Sequence, residues 1–357
     1  MGGLIVLVLG LLFFRPCFIF KPQFSGKIVY SKDKDIWIMN ADGGGKKKLT
    51  NFVPRLEMAL EKEGTSLRNE GYWAPAISPD GTMIAFQEIW IGDRGGPPDA
   101  VIHVIDFEGK TLYQTIENPV RIRSAPIWAP QGNILAYIES RDLVILNLET
   151  KKPQKITLDE NSVFHRPFWT VDGKYVTLPF RERFLSQDTS NLYKINIETG
   201  EKEKLLNAII GDYLPATPIY SISTNGQVAF VTPTGVSLFK IDSPDIPGIK
   251  IATTYEPPEK EKAKMKVYQE VYWSPDGEKL AFWANLWEKR LVEIVNQNGE
   301  TIKRITIPSG DFVEWSPDSK ALLVYSRYGE MEIIPLTCRG KIDLKEKGDS
   351  PTWWTPK

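Results

Sequence analysis

The sequence predicts an all-β protein built from a repeated four-stranded unit. Three observations support this prediction. A short motif that contains a turn signal recurs along the chain, apolar runs of strand length follow its copies, and the 357 residues include 11 Trp, 13 Tyr and 16 Phe, which favour strands. Four antiparallel strands in a unit of ~40–45 residues are typical of one blade of a β-propeller.

The recurring motif is an aromatic residue or Ile, then Ser, Thr or Ala, then a turn that often reads Pro-Asp-Gly. Pro fixes φ at the first corner of a turn, Asp bonds its own backbone, and Gly accepts a positive φ, so each copy predicts strand, tight turn and strand. Copies begin at Ile77, Trp128, Trp169, Ile222, Trp273 and Trp315, and a seventh begins at Trp354. We expect this column of residues to pack between blades.

The first and last units are complementary. Gly26 to Thr50 carries the second, third and fourth strands of a unit, without the preceding Trp-Ser-Pro strand, and Asp349 to Pro356 carries only that strand. Together they complete one blade, which removes two exposed sheet edges. The sequence therefore predicts a seven-bladed propeller over residues 25–357, closed by N- and C-terminal strands that share one blade, with six blades as the alternative.

The segment Asp35-Ile36-Trp37-Ile38-Met39-Asn40-Ala41-Asp42-Gly43, with Leu49-Thr50 after it, resembles the repeat of TolB-like β-propellers, as do the Ser-Pro-Asp-Gly copies. The resemblance covers residues 26–357. TolB itself resembles a six-bladed propeller, whereas the seven copies of the motif in this sequence favour seven blades. TolB-like propellers also resemble certain polysaccharide lyases, whose metal sites use several histidines.

Charge and composition exclude several classes of function. The formal net charge of −1 lacks the basic excess expected of a nucleic-acid-binding protein. Two cysteines, Cys17 and Cys338, and two histidines, His103 and His165, are too few for a cysteine-rich zinc site or a multi-histidine centre. We therefore expect no cofactor, no metal and no catalytic residue, with His103 packing in a third strand or facing outward.

Residues 1–24 form an apolar N-terminal signal or anchor segment in this interpretation. The run Leu4 to Phe14 is apolar apart from glycine and suits a signal-peptide core better than a full membrane span. The positive charges of Arg15, Lys21 and Lys27 follow the run, and by the positive-inside rule they would favour a cytoplasmic body. We nevertheless expect export or outward anchoring, with the body in the periplasm or at the cell surface.

Insertions concentrate on one predicted face of the ring. The links between first and second strands, and between third and fourth strands, are short. The links of the other face are long: Asn51 to Gly71, Glu88 to Ala100, Phe180 to Ser190, Thr253 to Val267 and Ala284 to Arg290. Long insertions on one face of a repeat array indicate its binding face.

The innermost strands begin at this same face, so their first residues should line the mouth of the channel. The candidate binding residues there are Arg121, Arg123, His165, Arg166, Glu270 and Glu314; Glu70, Tyr72, Asp212, Gln269, Asp311 and Asp349 would complete the mouth. The basic residues belong to the third and fourth blades, and the acidic Glu270, Glu314 and Asp349 to the opposite arc. A ligand that presents an acidic group to the arginines, under the loops Glu88 to Ala100 and Phe180 to Ser190, fits this polarity. The alternative is a merely solvated pore.

These observations predict a non-enzymatic scaffold in the cell envelope that binds a protein partner, or a small acidic or sugar ligand. We expect a monomer that contacts the membrane only through its N-terminal segment. The alternative is an enzyme of the polysaccharide-lyase or other propeller-hydrolase type that uses the channel mouth. A prolyl-oligopeptidase-like enzyme would need a Gly-x-Ser-x-Gly elbow, which the sequence lacks.

Overall fold

In the computed structural model the described part of the chain is all-β. It comprises residues 23–53, 67–92, 99–115, 120–121, 124–158, 167–184, 187–208, 220–232, 235–240, 249–251, 265–286, 289–307, 310–326, 330–338 and 340–356. These residues form 29 strands, arranged in six four-stranded antiparallel sheets and one sheet in which a short fifth strand joins the main four. The predicted all-β propeller fold is confirmed at this level.

The first three sheets contain the strands of the first half of the chain. The composite sheet has the order β29-β1-β2-β3, with β1 Lys27–Lys32, β2 Asp35–Asn40, β3 Lys47–Lys48 and β29 Asp349–Trp354. The second sheet has β4 Leu67–Ile77, β5 Met83–Gly92, β6 Asp99–Asp106 and β7 Thr111–Gln114, and β8 Val120–Arg121 also pairs with β6. The third sheet has β9 Ile127–Trp128, β10 Ile134–Glu139, β11 Asp142–Asn147 and β12 Lys152–Thr157.

The remaining four sheets follow in chain order, each with its strands paired in sequence. The fourth has β13 Phe168–Trp169, β14 Tyr175–Phe184, β15 Gln187–Asn196 and β16 Lys202–Ala208. The fifth has β17 Tyr220–Ile222, β18 Gln227–Thr232, β19 Gly235–Lys240 and β20 Ile249–Ile251. The sixth has β21 Met265–Trp273, β22 Lys279–Leu286, β23 Lys289–Asn296 and β24 Thr301–Ile307. The seventh has β25 Gly310–Trp315, β26 Ala321–Ser326, β27 Glu330–Pro335 and β28 Ile342–Lys347.

The hydrophobic core is a series of layers between neighbouring sheets. One cluster of buried residues joins the composite and second sheets, through Val29, Ile36 and Phe86 among others. Another joins the seventh and composite sheets, through Leu323, Ile333 and Trp353 among others. Four more clusters link the intervening sheets in turn. The first strand of the composite sheet, β29, contacts the first strands of both neighbours, β25 and β4, so these strands lie at the centre.

The predicted pairing of the two ends of the chain is present. β29 runs antiparallel to β1, with Trp353 opposite Ile28 and Asp349 opposite Ser31. The Trp353 indole N–H donates to the carbonyl of Ser25 at 3.1 Å, and Phe24 contacts the Trp353 ring edge-on. The C-terminal strand therefore holds the start of the described chain within the core.

The motif turns share one hydrogen-bond pattern. In the seventh sheet the Ser316 hydroxyl donates to Asp318 at 2.7 Å and accepts the backbone N–H groups of Lys320 and Ala321. The same hydroxyl-to-carboxylate bond recurs at Ser78–Asp80, Thr170–Asp172 and Ser274–Asp276, and the Ser223 hydroxyl donates to the amide oxygen of Asn225 in the same way. The motif serine or threonine is buried because it satisfies the first backbone groups of the second strand.

The tryptophan column combines packing with hydrogen bonding. The indole N–H of Trp128 donates to the Ala76 carbonyl at 2.9 Å, and that of Trp315 donates to the Tyr272 carbonyl at 3.1 Å. In both cases the acceptor belongs to the first strand of the preceding sheet. Each such tryptophan therefore fixes the position of one sheet against its neighbour.

Within the described residues no helix is long and apolar enough to cross a membrane. The apolar run on which the anchor prediction depends lies outside those residues.

Candidate functional site

The predicted channel-mouth residues are only partly visible. Arg123, His165 and Arg166 lie outside the described residues, as does Asp212. The side chains of Arg121, Gln269, Glu270 and Asp311 are likewise not described, although their backbones lie in strands. Glu314 is half-buried in β25, opposite Leu323 of β26. The predicted basic arc and its ligand therefore stay a prediction.

Arg121 does not lie where the sequence placed it. It belongs to β8, which pairs with β6, so that Arg121 is opposite Asp99 at the outer side of the second sheet. The first strand of the third sheet, β9, begins only at Ile127. The assignment of Arg121 to an innermost strand is wrong, because the chain adds two residues beside β6 before it enters the third sheet.

Several predicted loops of the long-link face are instead strand extensions. In the fourth sheet β14 and β15 pair from Tyr175↔Asn196 out to Phe184↔Gln187, so Phe180 to Ser190 is an antiparallel hairpin. The sixth sheet repeats this, with β22 and β23 paired out to Leu286↔Lys289. In the second sheet pairing reaches Trp90↔Asp99. The prediction of a loop at Phe180 to Ser190 that folds over a ligand is therefore wrong, and the predicted long link Ala284 to Arg290 is largely paired strand. This side of the ring is named the hairpin face below.

One cavity on the hairpin face lies where the first and last described strands meet. It has a volume of about 850 Å³ and is lined by residues of the seventh, composite and second sheets. We call it the closure cavity. Its charged lining consists of six carboxylates, Asp33, Glu330, Glu332, Asp343, Glu346 and Asp349, and four lysines, Lys32, Lys34, Lys345 and Lys347. Ser31, Tyr72, Trp73 and Gly348 complete it.

The backbone around the closure cavity departs from regular strand geometry. Asp33, Lys34 and Lys345 line the cavity with φ of 50°, 71° and 49°, and Ala74 and Ser350 next to it have φ of 51° and 49°. β28 carries extra residues opposite β27, because the register shifts between Glu330 and Glu332. Bulges and left-handed non-glycine residues concentrate at functional sites because the surrounding structure must maintain their strain.

A buried carboxylate connects the two sheets that meet at the closure cavity. Glu346 of β28 lies 2.6 Å from Lys32 Nζ and 2.7 Å from Lys46 Nζ, and both lysines belong to the composite sheet. Burial opposes ionisation of Glu346, but the lysine hydrogen bonds outweigh it and lower the pKa of this carboxyl. This carboxylate is therefore already neutralised by structural partners.

Two neighbouring buried hydroxyls near the closure cavity have no hydrogen-bond partner among the described residues. They are the Ser31 hydroxyl, on a residue 5% exposed, and the Tyr30 hydroxyl. Burial, with the charge of Glu346 adding to it, raises the pKa of Tyr30 well above its usual value. Of the two residues, Ser31 lines the cavity. A buried hydroxyl without a partner is costly, so a site that leaves one unpaired merits a functional interpretation.

The structure also contains a buried pair that the sequence analysis missed. His103 Nε2 lies 2.7 Å from a carboxylate oxygen of Glu88, and both side chains are buried in the second sheet. The His103 ring stacks on Phe86, and Tyr72 contacts it edge-on. The packing expectation for His103 is thus confirmed. A usable signal was present, since the adjacent Gln87 and Glu88 interrupt the otherwise apolar run of β5, and a buried Glu88 needs a polar partner.

Comparison with solved structures shows the same fold. An oligogalacturonate lyase in complex with manganese has a TM-score of 0.57 and 15% identity, over 88% of this chain and 84% of that chain. An oligogalacturonate lyase from Vibrio parahaemolyticus has a TM-score of 0.57 and 14% identity, over 89% of this chain and 86% of that chain. A prolyl endopeptidase has a TM-score of 0.56 and 16% identity, over 93% of this chain but only 48% of the endopeptidase chain. At these identities the similarity shows the β-propeller fold alone.

No family model matches the sequence, and no curated protein matches it. In the part of the chain that the structure describes, no group of three or more His, Cys, Asp or Glu side chains is placed to hold a metal ion.

Proposed function

We propose that this chain is a non-enzymatic β-propeller scaffold that binds a partner or ligand on its hairpin face. The observation that carries the proposal is the closure cavity of about 850 Å³, which three sheets line where the ring closes. Its volume falls within the roughly 300–1,000 Å³ of typical ligand sites. Left-handed backbone occurs at the same place, as does Ser31, whose buried hydroxyl has no partner in the part of the chain that the structure describes.

We also propose that the ring has seven blades. Six sheets have four strands each, which fits the six-bladed alternative. The seven-bladed proposal is supported by the remaining sheet, in which β4 to β7 follow the same order and β8 is an added fifth strand. The TolB-like assignment stays part of the proposal, and it depends on the motif turns.

The predicted mouth residues remain part of the proposed binding surface. Arg123 and Arg166 would hold an acidic group of the ligand, on the arc opposite Glu314 and Asp349. Charge-assisted hydrogen bonds of this kind contribute roughly 1.5–3 kcal/mol each when desolvated. Once a partner has been recovered with the intact protein from its own membranes, Arg123→Ala with Arg166→Ala should weaken its binding at least tenfold. Wild-type affinity in that variant would remove the arginines from the site.

The location of the scaffold is proposed from residues 1–24. The apolar run favours export or an outward anchor, so a reporter fused after Lys357 should be active outside the cytoplasm. A reporter active only in the cytoplasm would contradict this.

The enzyme alternative is favoured by the two lyase structures. It makes a separate prediction: the intact protein with manganese should convert oligogalacturonate to an unsaturated product that absorbs ultraviolet light. The scaffold proposal expects no turnover above a buffer control. Sustained turnover that disappears on chelation would replace the scaffold by an enzyme.

A further inference from the structure

We propose that a disulfide bond joins Cys338 to Cys17, so that the segment before Gln23 is fastened to the seventh sheet and the ring is closed covalently. The proposal goes beyond the scaffold function, because it concerns the ends of the chain and not a ligand. It requires that residue 17 is retained in the mature protein. It also bears on location, since such a bond persists in an oxidising compartment.

Cys338 is the one cysteine among the described residues, and it is disulfide-bonded. It is half-buried in the link between β27 and β28. The sequence contains only one other cysteine, Cys17, which lies outside the described residues. Within a single chain the partner of Cys338 can therefore only be Cys17.

The link that carries Cys338 is held in place by its neighbours. Lys303 of β24 donates from Nζ to the Cys338 carbonyl at 2.8 Å and also to the Pro335 carbonyl. The Leu336 N–H donates at 2.8 Å to the carbonyl of Lys320, which belongs to the motif turn of the seventh sheet. Cys338 therefore has a fixed position on the side of the ring that carries the motif turns, opposite the hairpin face.

The described chain begins on this same side of the ring. β1 starts at Lys27, opposite Trp354, and the Trp354 indole N–H donates at 3.2 Å to the carbonyl of Pro79 in the motif turn of the second sheet. The hydrogen bond from the Trp353 indole to the Ser25 carbonyl fixes the residues just before β1. The chain that leads back to the second cysteine thus leaves the ring on the side where Cys338 lies.

Both cysteines are also connected to one layer of the core. Phe24 packs against the buried cluster between the seventh and composite sheets, and so does Ile342, the first residue of β28, which follows the Cys338 link. Packed sheets lie about 10 Å apart. The six residues from Gln23 back to Cys17 can span up to ~20 Å. The chain is therefore long enough to bring the two sulfur atoms together.

Formation of the bond is an oxidation of two thiols. They lose two protons and two electrons as the sulfur atoms join, and a carrier disulfide of the compartment takes these up by thiol–disulfide exchange and becomes a dithiol. The closed loop contains most of the chain, so the bond restricts the unfolded state and stabilises the closed ring. The reducing cytoplasm would not maintain it.

The test is peptide mapping of the full-length protein, isolated from its own membranes after free thiols have been blocked with N-ethylmaleimide. Trypsin does not cut before proline, so Arg15 and Lys21 are not cleaved and Cys17 lies in a peptide that ends at Lys27; Cys338 lies in the peptide 328–339. We expect these two peptides to be linked before reduction and separate after it. Maleimide on Cys338, a Cys338 link between two chains, or a mature chain that begins after residue 17 would overturn the proposal.

A disulfide-free variant, Cys17→Ser with Cys338→Ser, is the matched control for stability. Reductant should lower the melting temperature of the wild type to that of the variant and leave the variant unchanged. An equal response of both proteins to reductant would overturn the covalent closure. The scaffold function is decided separately, by whether the intact protein recovers a partner, so either proposal can fail while the other stands.

Discussion

The two faces of the ring differ in how regular their links are. The face that carries the motif turns between first and second strands is called the turn face here, and it lies opposite the hairpin face. On the turn face, Ser78, Thr170, Ser274 and Ser316 all direct a hydroxyl to the aspartate two residues later, and they satisfy the backbone N–H groups that follow. On the hairpin face, link lengths differ from sheet to sheet, and non-glycine residues adopt positive φ around the closure cavity. The buried Ser31 hydroxyl has no hydrogen-bond partner among the described residues. A repeated turn can be stabilised in the same way each time. The links of the hairpin face do not repeat in this way, and we propose this face as the binding face.

The largest expected effect comes from deleting most of β29, the C-terminal strand that pairs with β1 and runs between the two faces. Deleting residues 350–357 removes Trp353, which is 6% exposed, together with most of the pairing between β29 and β1. A single buried Trp→Ala change costs about 3–5 kcal/mol, so the deletion should lower the free energy of unfolding by more than that. Urea unfolding of the deletion variant measures it, with a variant lacking only Pro356 and Lys357 as control. An unchanged melting temperature would show that β29 does not close the ring.

Two buried serines give the sharpest comparison of the faces. Ser316→Ala leaves the N–H groups of Lys320 and Ala321 without the hydroxyl that they bond, so it should cost about 1–3 kcal/mol. Ser31→Ala removes a hydroxyl that has no partner among the described residues, so stability should be unchanged or slightly higher. Thermal and urea unfolding of both variants would test this. A large loss for Ser31→Ala would mean that its hydroxyl has a structural role after all.

Acid should weaken both faces, from slightly different pH values. On the turn face burial opposes ionisation, but hydrogen bonds lower the pKa of Asp80, Asp172 and Asp276 below the ordinary 3.8; at the closure cavity the same balance lowers that of Glu346 below 4.5. A carboxyl with a lowered folded-state pKa stabilises the fold fully above its unfolded pKa and loses this contribution as pH falls through its folded pKa. Stability should therefore decline from about pH 4.5 downward.

Substituting the carboxyl groups of each face in turn should show how much of this loss of stability in acid each face contributes. Asp80→Asn, Asp172→Asn and Asp276→Asn together should flatten the part of the curve below about pH 3.8, whereas Glu346→Gln should remove the part that begins near 4.5. Unfolding free energies from urea titrations that extend from above pH 4.5 to well below pH 3.8 measure both. An acid dependence that survives all four substitutions would place the responsible groups elsewhere.

The sequence was sufficient for the regular features because they are local or complementary. The turn at Ser274 needs only its own five residues, and the missing first strand of the first unit identified Asp349 to Pro356 as its partner. The closure cavity could not be predicted in this way. It depends on extra residues in β28 and on positive φ at Asp33, Lys34 and Lys345, where no glycine marks the conformation.

Errors on the hairpin face have a common physical cause. Polar, weakly patterned segments such as Phe180 to Ser190 were interpreted as loops, yet they pair as strands because a hairpin continues two strands that are already in register. The sequence analysis places Arg121 at the start of an innermost strand, but Arg121 lies in β8, which pairs with β6. The pairing of Arg121 with Asp99 joins distant parts of the chain, so the residues around Arg121 carry no local signal of it.

Site-specific photo-crosslinking from the seventh sheet tests the central claim most directly. A benzophenone side chain in place of Lys347 would stand at the closure cavity, and one in place of Lys320 would stand on the turn face of the same sheet; both lysines are exposed. After irradiation of the intact protein in its own membranes, we expect one discrete adduct from position 347 and none from position 320. Equal crosslinking from both positions, or an adduct only from position 320, would contradict a binding site on the hairpin face.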